Sequence, residues 1–264
     1  MLRIKNLYKV FNRNTVNENI VFNNLSLNVN KGDFITVIGS NGAGKSTLLN
    51  IIAGTLEEDE GSISLNGKEL NSMQEHKRAE SIGRVFQDPA KGTAPDMTIL
   101  ENLSMAFNKG KPFGLTFGIS KKYISIFRTL LSELNLGLED KLNTKVGLLS
   151  GGQRQALSLI SAVMSKPQLL LLDEHTAALD PKTSEKIVDI TEKIVCDNRT
   201  TTLMVTHNLN HALKLGNRLI MMHRGDIALD VMGDEKRNLN ADKLLKCFDT
   251  VGGKDALSDR MLFS

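Results

Sequence analysis

The sequence predicts an α/β fold with a helical insertion. Three observations lead there. Short apolar strands alternate with helical periods in the first and last thirds of the chain, the pattern of a sheet covered by helices. A glycine-rich turn joins the strand at 34–38 to an apolar helix. The stretch from about 96 to 165 is helical in period.

Each element has a local reason. Residues 2–7 (LRIKNL) and 20–29 (IVFNNLSLNV) alternate with period two, which suits strands with one buried face. Asn30-Lys31-Gly32-Asp33 supplies a turn. Residues 34–38 (FITVI) are rich in β-branched side chains, as a buried strand requires. The helix follows over 46–53 (STLLNIIA), and 62–69 (SISLNGKE) reads as a hairpin because Asn66-Gly67 accepts positive φ. In the middle, helices are expected over 99–107, 121–135 and 153–165. Residues 109–120 (KGKPFGLTFGIS) hold a composition that regular elements reject. They read as a loop, either a plain connection or a surface contact made by Phe113 and Phe117. The strand LLLLD then opens the last third, followed by a helix over 182–196 and the strand TTLMVTH. A helix over 208–215, the hairpin RLIMMHRGDIALD and an amphipathic helix over about 240–248 complete it. That last helix is expected to dock on its own domain.

Composition excludes several classes. The 264 residues are 41% hydrophobic and 24% charged, with 21 glycines and 5 prolines, unlike disordered or collagen-like chains. The longest apolar runs are four residues, 169–172 and 219–222, whereas a bilayer-spanning helix needs roughly twenty. The N-terminus shows no secretory h-region. Cys196 and Cys247 lie 51 residues apart without CxxC spacing, the pattern of reduced thiols. The net charge of +3 is spread along the chain, and tryptophan is absent. Nucleic acid is therefore not an expected partner.

The chemistry begins at residues 39–46. Gly39, Ser40, Asn41, Gly42, Ala43, Gly44, Lys45 and Ser46 match the phosphate-loop pattern in its required strand–loop–helix context, and Thr47 follows. The glycines let successive backbone N–H groups face one concavity, and the helix adds its positive end. Lys45 reaches the β and γ phosphates, and the Ser46 hydroxyl can ligate Mg²⁺. The second half is LLLLDE. Its strand carries Asp173 to a carboxyl end, where α/β sheets bind ligands. Asp173 is then placed to reach Mg²⁺, and Glu174 to orient or deprotonate a water. A nucleoside triphosphate is the expected ligand.

With these motifs, the element Leu149-Ser150-Gly151-Gly152-Gln153 resembles the signature of the nucleotide-binding subunits of ATP-binding-cassette (ABC) transporters. The resemblance covers residues 2 to about 230 and implies a P-loop NTPase of the ABC ATPase fold, with a mixed sheet core, an inserted helical subdomain and an N-terminal antiparallel β subdomain, using ATP and Mg²⁺. It implies one domain over 1–264: a catalytic core of 1–87 and 166–235, a helical subdomain of about 88–165, and a C-terminal helix and tail. By resemblance, Phe11 matches the aromatic that stacks on adenine, and Gln87 the glutamine that senses Mg²⁺ and γ-phosphate. Asp180 matches the loop that crosses a dimer interface, and His207 the switch histidine. Ser150, Gly151, Gly152 and Gln153 would cap ATP held by the other subunit of a head-to-tail dimer.

The resemblance also implies partners: transmembrane permease subunits, a second copy or a paralogous ATPase, and indirectly a solute-binding protein. It places the chain peripherally at the cytoplasmic face of the cell membrane. The leading function is the motor of an importer of a small solute such as an amino acid. The alternatives are a soluble assembly ATPase of the iron–sulfur type and the ATPase of a separate-subunit exporter.

One residue departs from the family pattern. His175 stands where a proline usually follows the glutamate. Its imidazole either lies within a few ångströms of Glu174 and titrates beside it, or leaves the strand in the opposite direction. The H-x-x-x-H spacing of His207 and His211 suits zinc only if both sit on one helix face. No third ligand is evident. His76 reads as solvated, and Met221 and Met222 as strand packing.

Overall fold

The computed structural model describes residues 1–111 and 121–252. Phe113 and Phe117, and any surface contact they make, lie outside the described residues. In chain order come β1 (Leu2–Phe11), β2 (Asn19–Val29), β3 (Phe34–Gly39), α1 (Lys45–Ala53), β4 (Glu60–Leu65), β5 (Lys68–Glu69) and α2 (Glu75–Arg78). Next are β6 (Ile82–Val85), α3 (Ile99–Phe107), α4 (Lys121–Ser132), α5 (Gly151–Met164), β7 (Leu169–Asp173) and α6 (Pro181–Asn198). The chain continues through β8 (Thr201–Val205), α7 (Leu209–Lys214), β9 (Arg218–His223), β10 (Asp226–Met232), α8 (Asp234–Arg237) and α9 (Ala241–Gly252).

Two compact units share these elements. The first comprises residues 1–79 and the chain from Thr200 onward. It contains the antiparallel sheet β2-β1-β4-β5 and the strand series β10-β9-β3-β8. In that series β3 runs parallel to both neighbours, pairing Val37 with Val205 and Ile220. Every residue of β3 is buried, which explains its unbroken apolar run. Strand β10 returns antiparallel to β9. Leu244 and Phe248 of α9 are buried against Ile38, Leu209, Ala212 and Leu219, so the amphipathic C-terminal helix docks on its own unit as expected. Met221 and Met222 are fully buried, and His76 is exposed.

The second unit, residues 80–199, pairs β6 parallel to β7 and carries α3 to α6. Helix α3 starts at a capping box. The Thr98 hydroxyl accepts from the Glu101 N–H at 3.2 Å, and the Glu101 carboxylate accepts from the Thr98 N–H at 2.7 Å. Such reciprocal pairing satisfies two end donors at once.

Element bounds differ from the sequence expectation where local geometry breaks a period. Strand β1 continues to Phe11 because a bulge between Ile4 and Leu7, with Asn6 at φ 50, shifts its alternation. Strand β6 has only four residues, too few for a period to show. Helix α5 begins at Gly151 rather than Gln153, since Ser150 caps it.

Candidate active site

In the first unit, the carbonyl end of β3 turns into the phosphate loop and then α1. Two packing constraints make glycine necessary there. A Cβ on Gly39 would lie 2.2 Å from the Met222 carbonyl oxygen, and one on Gly44 would lie 2.6 Å from the Phe22 ring. Gly44 also has φ 96, which side chains with a Cβ rarely adopt. The loop closes through Ala43 N–H to Ser40 O at 3.2 Å, and Leu48 N–H to Gly44 O at 2.8 Å starts the helix. Five apolar residues of α1 are buried and hold the loop down.

Lys45 is 5% exposed, and its ammonium donates to Gly39 O and Ser40 O, both at 2.8 Å. The cation thus lies against the loop that the sequence assigns to phosphate. Asn41 and Gly42 are exposed, as is Ser46 in the first turn of α1, while Thr47 is half-buried. Phe11 ends β1 half-buried, with the Lys9 ammonium 5.6 Å from its ring centre. Lys9 also pairs with Asp59 at 3.3 Å. The Val10 N–H and Lys9 hold the Asp59 carboxyl below its ordinary range.

His207 follows β8 and is half-buried. It precedes Asn208, whose side chain caps α7 by accepting from the His211 N–H at 3.0 Å. His207 therefore lies outside the helix that carries His211, and the two do not share a helix face. Among the described residues no cluster of three or more His, Cys, Asp or Glu could hold a metal.

In the second unit, Asp173 ends β7 and is half-buried. Its carboxylate lies 3.5 Å from the guanidinium of Arg84, on the neighbouring strand β6. That guanidinium also stands over the Phe86 ring at 4.5 Å. Glu174, the next residue, has φ 45. The turn is closed by Ala177 N–H to Glu174 O at 3.0 Å. His175 is 1% exposed and reaches Thr191 of α6, with Nε2 and Oγ1 3.0 Å apart. Its ring thus faces a helix, neither solvent nor a free surface. Asp180 caps α6 by accepting from the Thr183 N–H at 3.1 Å. Hydrogen bonds from the Thr183 hydroxyl and N–H hold the Asp180 carboxyl below its ordinary value.

Gln87 is exposed just beyond β6. The Phe86 carbonyl before it accepts from Gln155 Nε2 of α5 at 3.3 Å. At the start of α5, Ser150 and Gln153 form a capping box at 3.2 and 3.3 Å, and Gln153 Nε2 donates to Leu136 O at 3.1 Å. Gly151 is exposed and Gly152 buried. Within this unit the structure brings Asp173 and Glu174 together in sequence, and gathers Ser150 to Gln153 at one helix end.

Phe22, Arg84, Gln155 and Thr191 carry no signal in the sequence pattern. Each acts through a tertiary contact that leaves no spacing in the chain.

Comparison with known proteins matches residues 22–177 to the ABC transporter family. A tyrosine transport ATP-binding protein of Clostridioides difficile strain R20291 is 50% identical over 249 residues, covering 94% of this chain and 99% of that one. A bicarbonate transport ATP-binding protein of a Synechocystis species is 35% identical over 227 residues, covering 85% and 74%. A dimeric ATP-binding cassette in a post-hydrolysis state with ADP and Pi has a TM-score of 0.76 at 29% identity, covering 88% of this chain and 98% of that one. The ADP form of a cassette from an ABC transporter gives 0.76 at 26% identity, covering 99% and 98%. The fold is accordingly the ABC cassette, with a mixed sheet core, an N-terminal antiparallel β subdomain and a helical insert. The chain belongs to the ABC transporter family, as an ATP-binding and ATP-hydrolysing subunit.

Proposed function

We propose that this subunit is the motor of an importer for a small solute, an amino acid of the aromatic class. One observation carries the reading: half-identity to a tyrosine transport ATP-binding protein over nearly the full length of both chains. The motor works as a head-to-tail dimer with a second copy or a paralogue, bound to transmembrane permease subunits at the cytoplasmic face. Solute selectivity then belongs to the permease and its binding protein. No described helix is long and apolar enough to cross a membrane, which fits a subunit that acts through membrane partners.

Each residue has a role in this reading. Phe11 stacks on adenine, and the 39–46 loop binds the phosphates with Lys45 as the counter-charge. By the family resemblance, the hydroxyl of Ser46, the carboxylate of Asp173 and the amide of Gln87 would each offer Mg²⁺ a hard oxygen donor of the kind it takes. Arg84 fits this assignment, because its guanidinium lies 3.5 Å from the Asp173 carboxylate and helps to orient it. The ion would screen the phosphate charge. Glu174 accepts the proton of the attacking water, and His207 takes the part of the family's switch histidine. Ser150 to Gln153 and Asp180 serve the nucleotide bound by the opposite subunit.

Purified Glu174→Gln is expected to bind ATP as wild type does and to turn it over at least about a hundredfold more slowly. It should accumulate as a dimer in ATP and Mg²⁺. Reconstituted with the permease that co-purifies, wild type should drive uptake of labelled tyrosine and the variant should not. Wild-type turnover in Glu174→Gln, or uptake without ATP, overturns the reading.

A further inference from the structure

The backbone at Glu174 needs something to hold it. Its φ of 45 lies in the left-handed region, where a residue with a Cβ persists only when its surroundings fix it. His175 is compatible with the turn, and its side chain supplies an anchor.

That anchor is fully buried. Thr191 is 0% exposed, and its hydroxyl donates to Ile187 O one turn back in α6 at 2.7 Å. With its proton committed, Oγ1 faces His175 as an acceptor. Nε2 must then carry the imidazole proton, which fixes the tautomer. The bonds run from His175 Nε2–H to Thr191 Oγ1–H to Ile187 O. The same helix begins at Asp180, which caps it. The turn after Glu174 is thus fastened to α6 at two places, about 16 Å apart along the axis at 1.5 Å per residue.

We infer that Thr191, through His175, is a positioning residue for Glu174: helix α6 sets where the general base stands, although neither side chain touches nucleotide. The inference rests on Glu174 being that base. An anchor of this kind should change turnover and leave nucleotide binding alone, since a base displaced by a fraction of an ångström loses rate and not substrate affinity.

Thr191→Val keeps the shape and removes the acceptor. It is expected to lower kcat about tenfold with KM for ATP within about twofold, and Thr191→Ser to restore kcat. His175→Phe should show the same loss, and the His175→Phe/Thr191→Val pair should lose no more than either alone. Wild-type kcat in Thr191→Val, or failure of serine to rescue it, overturns the inference. If Thr191→Val does not fold, the His175 variants decide. His175→Gln, which can still donate to Thr191, must keep kcat within about twofold where His175→Phe does not. Glu174→Gln is measured alongside. If it retains turnover, the general-base reading falls and takes the inference with it. If it is inactive while Thr191→Val is normal, only the positioning role falls.

Discussion

Gly152, the second glycine of the signature element, is constrained from inside its own chain. It is buried in the first turn of α5, and a Cβ there would lie 2.2 Å from Thr183 Cγ2 of α6. Carbon atoms ordinarily stop at about 3.5–4.0 Å. Thr183 cannot turn aside freely, because its hydroxyl and N–H both bond the Asp180 carboxylate that caps α6. Gly152→Ala must therefore shift a helix or break the cap, at a cost of about 1–3 kcal/mol. For a chain of this size that lowers Tm by about 2–4 °C per kcal/mol. Thr183→Ser removes Cγ2 and keeps the hydroxyl, and the remaining Thr183 atoms lie at 3.7 and 4.0 Å, ordinary contact. Thermal unfolding of the nucleotide-free protein should show Gly152→Ala destabilised and Gly152→Ala/Thr183→Ser largely recovered. Gly151→Ala, whose Cβ meets only Leu179 at 3.4 Å, should melt as wild type. A wild-type Tm in Gly152→Ala, or a double variant no better than the single, refutes this reasoning.

Two further outcomes follow from charged side chains. Lys45→Ala should reduce ATP affinity at least about a hundredfold, from the loss of charge-assisted bonds worth about 1.5–3 kcal/mol each; calorimetric titration checks it, and wild-type affinity would refute the phosphate-loop assignment. Burial pushes the Lys236 ammonium down from 10.5 to about 8, among acceptors without full charge, the Thr36 hydroxyl and the Leu215 and Gly216 carbonyls. The folded chain then releases this proton before the unfolded chain does. Stability relative to Lys236→Met should be flat below about pH 7 and rise between about pH 8 and 10.5, by at most about 1.4 kcal/mol per pH unit. Denaturant midpoints of the two proteins across that range test it.

The strand–turn–helix at 39–46 was legible because its requirement is local: a strand, glycines and a lysine in one run of residues. The signature element was legible too, and Ser150 with Gln153 is an S-x-x-Q capping box. Its two glycines disguised the first turn as loop, so the expected helix began two residues late. The direction of His175 could not be read from strand alternation, since alternation holds only while the backbone stays extended. Glu174 leaves that region at φ 45, and the ring then faces α6. Phe22 shows a different limit. It lies in β2 yet bars any side chain at Gly44, a constraint that exists only once the chain has folded.

The capping box at α5 has a kinetic consequence. The Ser150 oxygen accepts from the Gln153 N–H, so the acceptor side of the hydroxyl serves its own helix and its proton points to whatever acceptor arrives. The cap forms without a ligand, so in the proposed dimer an arriving anion would meet it already made. In the proposed head-to-tail dimer, closure over nucleotide then needs no change in this cap. In that reading, closure follows how often the two surfaces meet in the right orientation, the regime in which ionic strength and tethering to a shared permease act on the encounter itself.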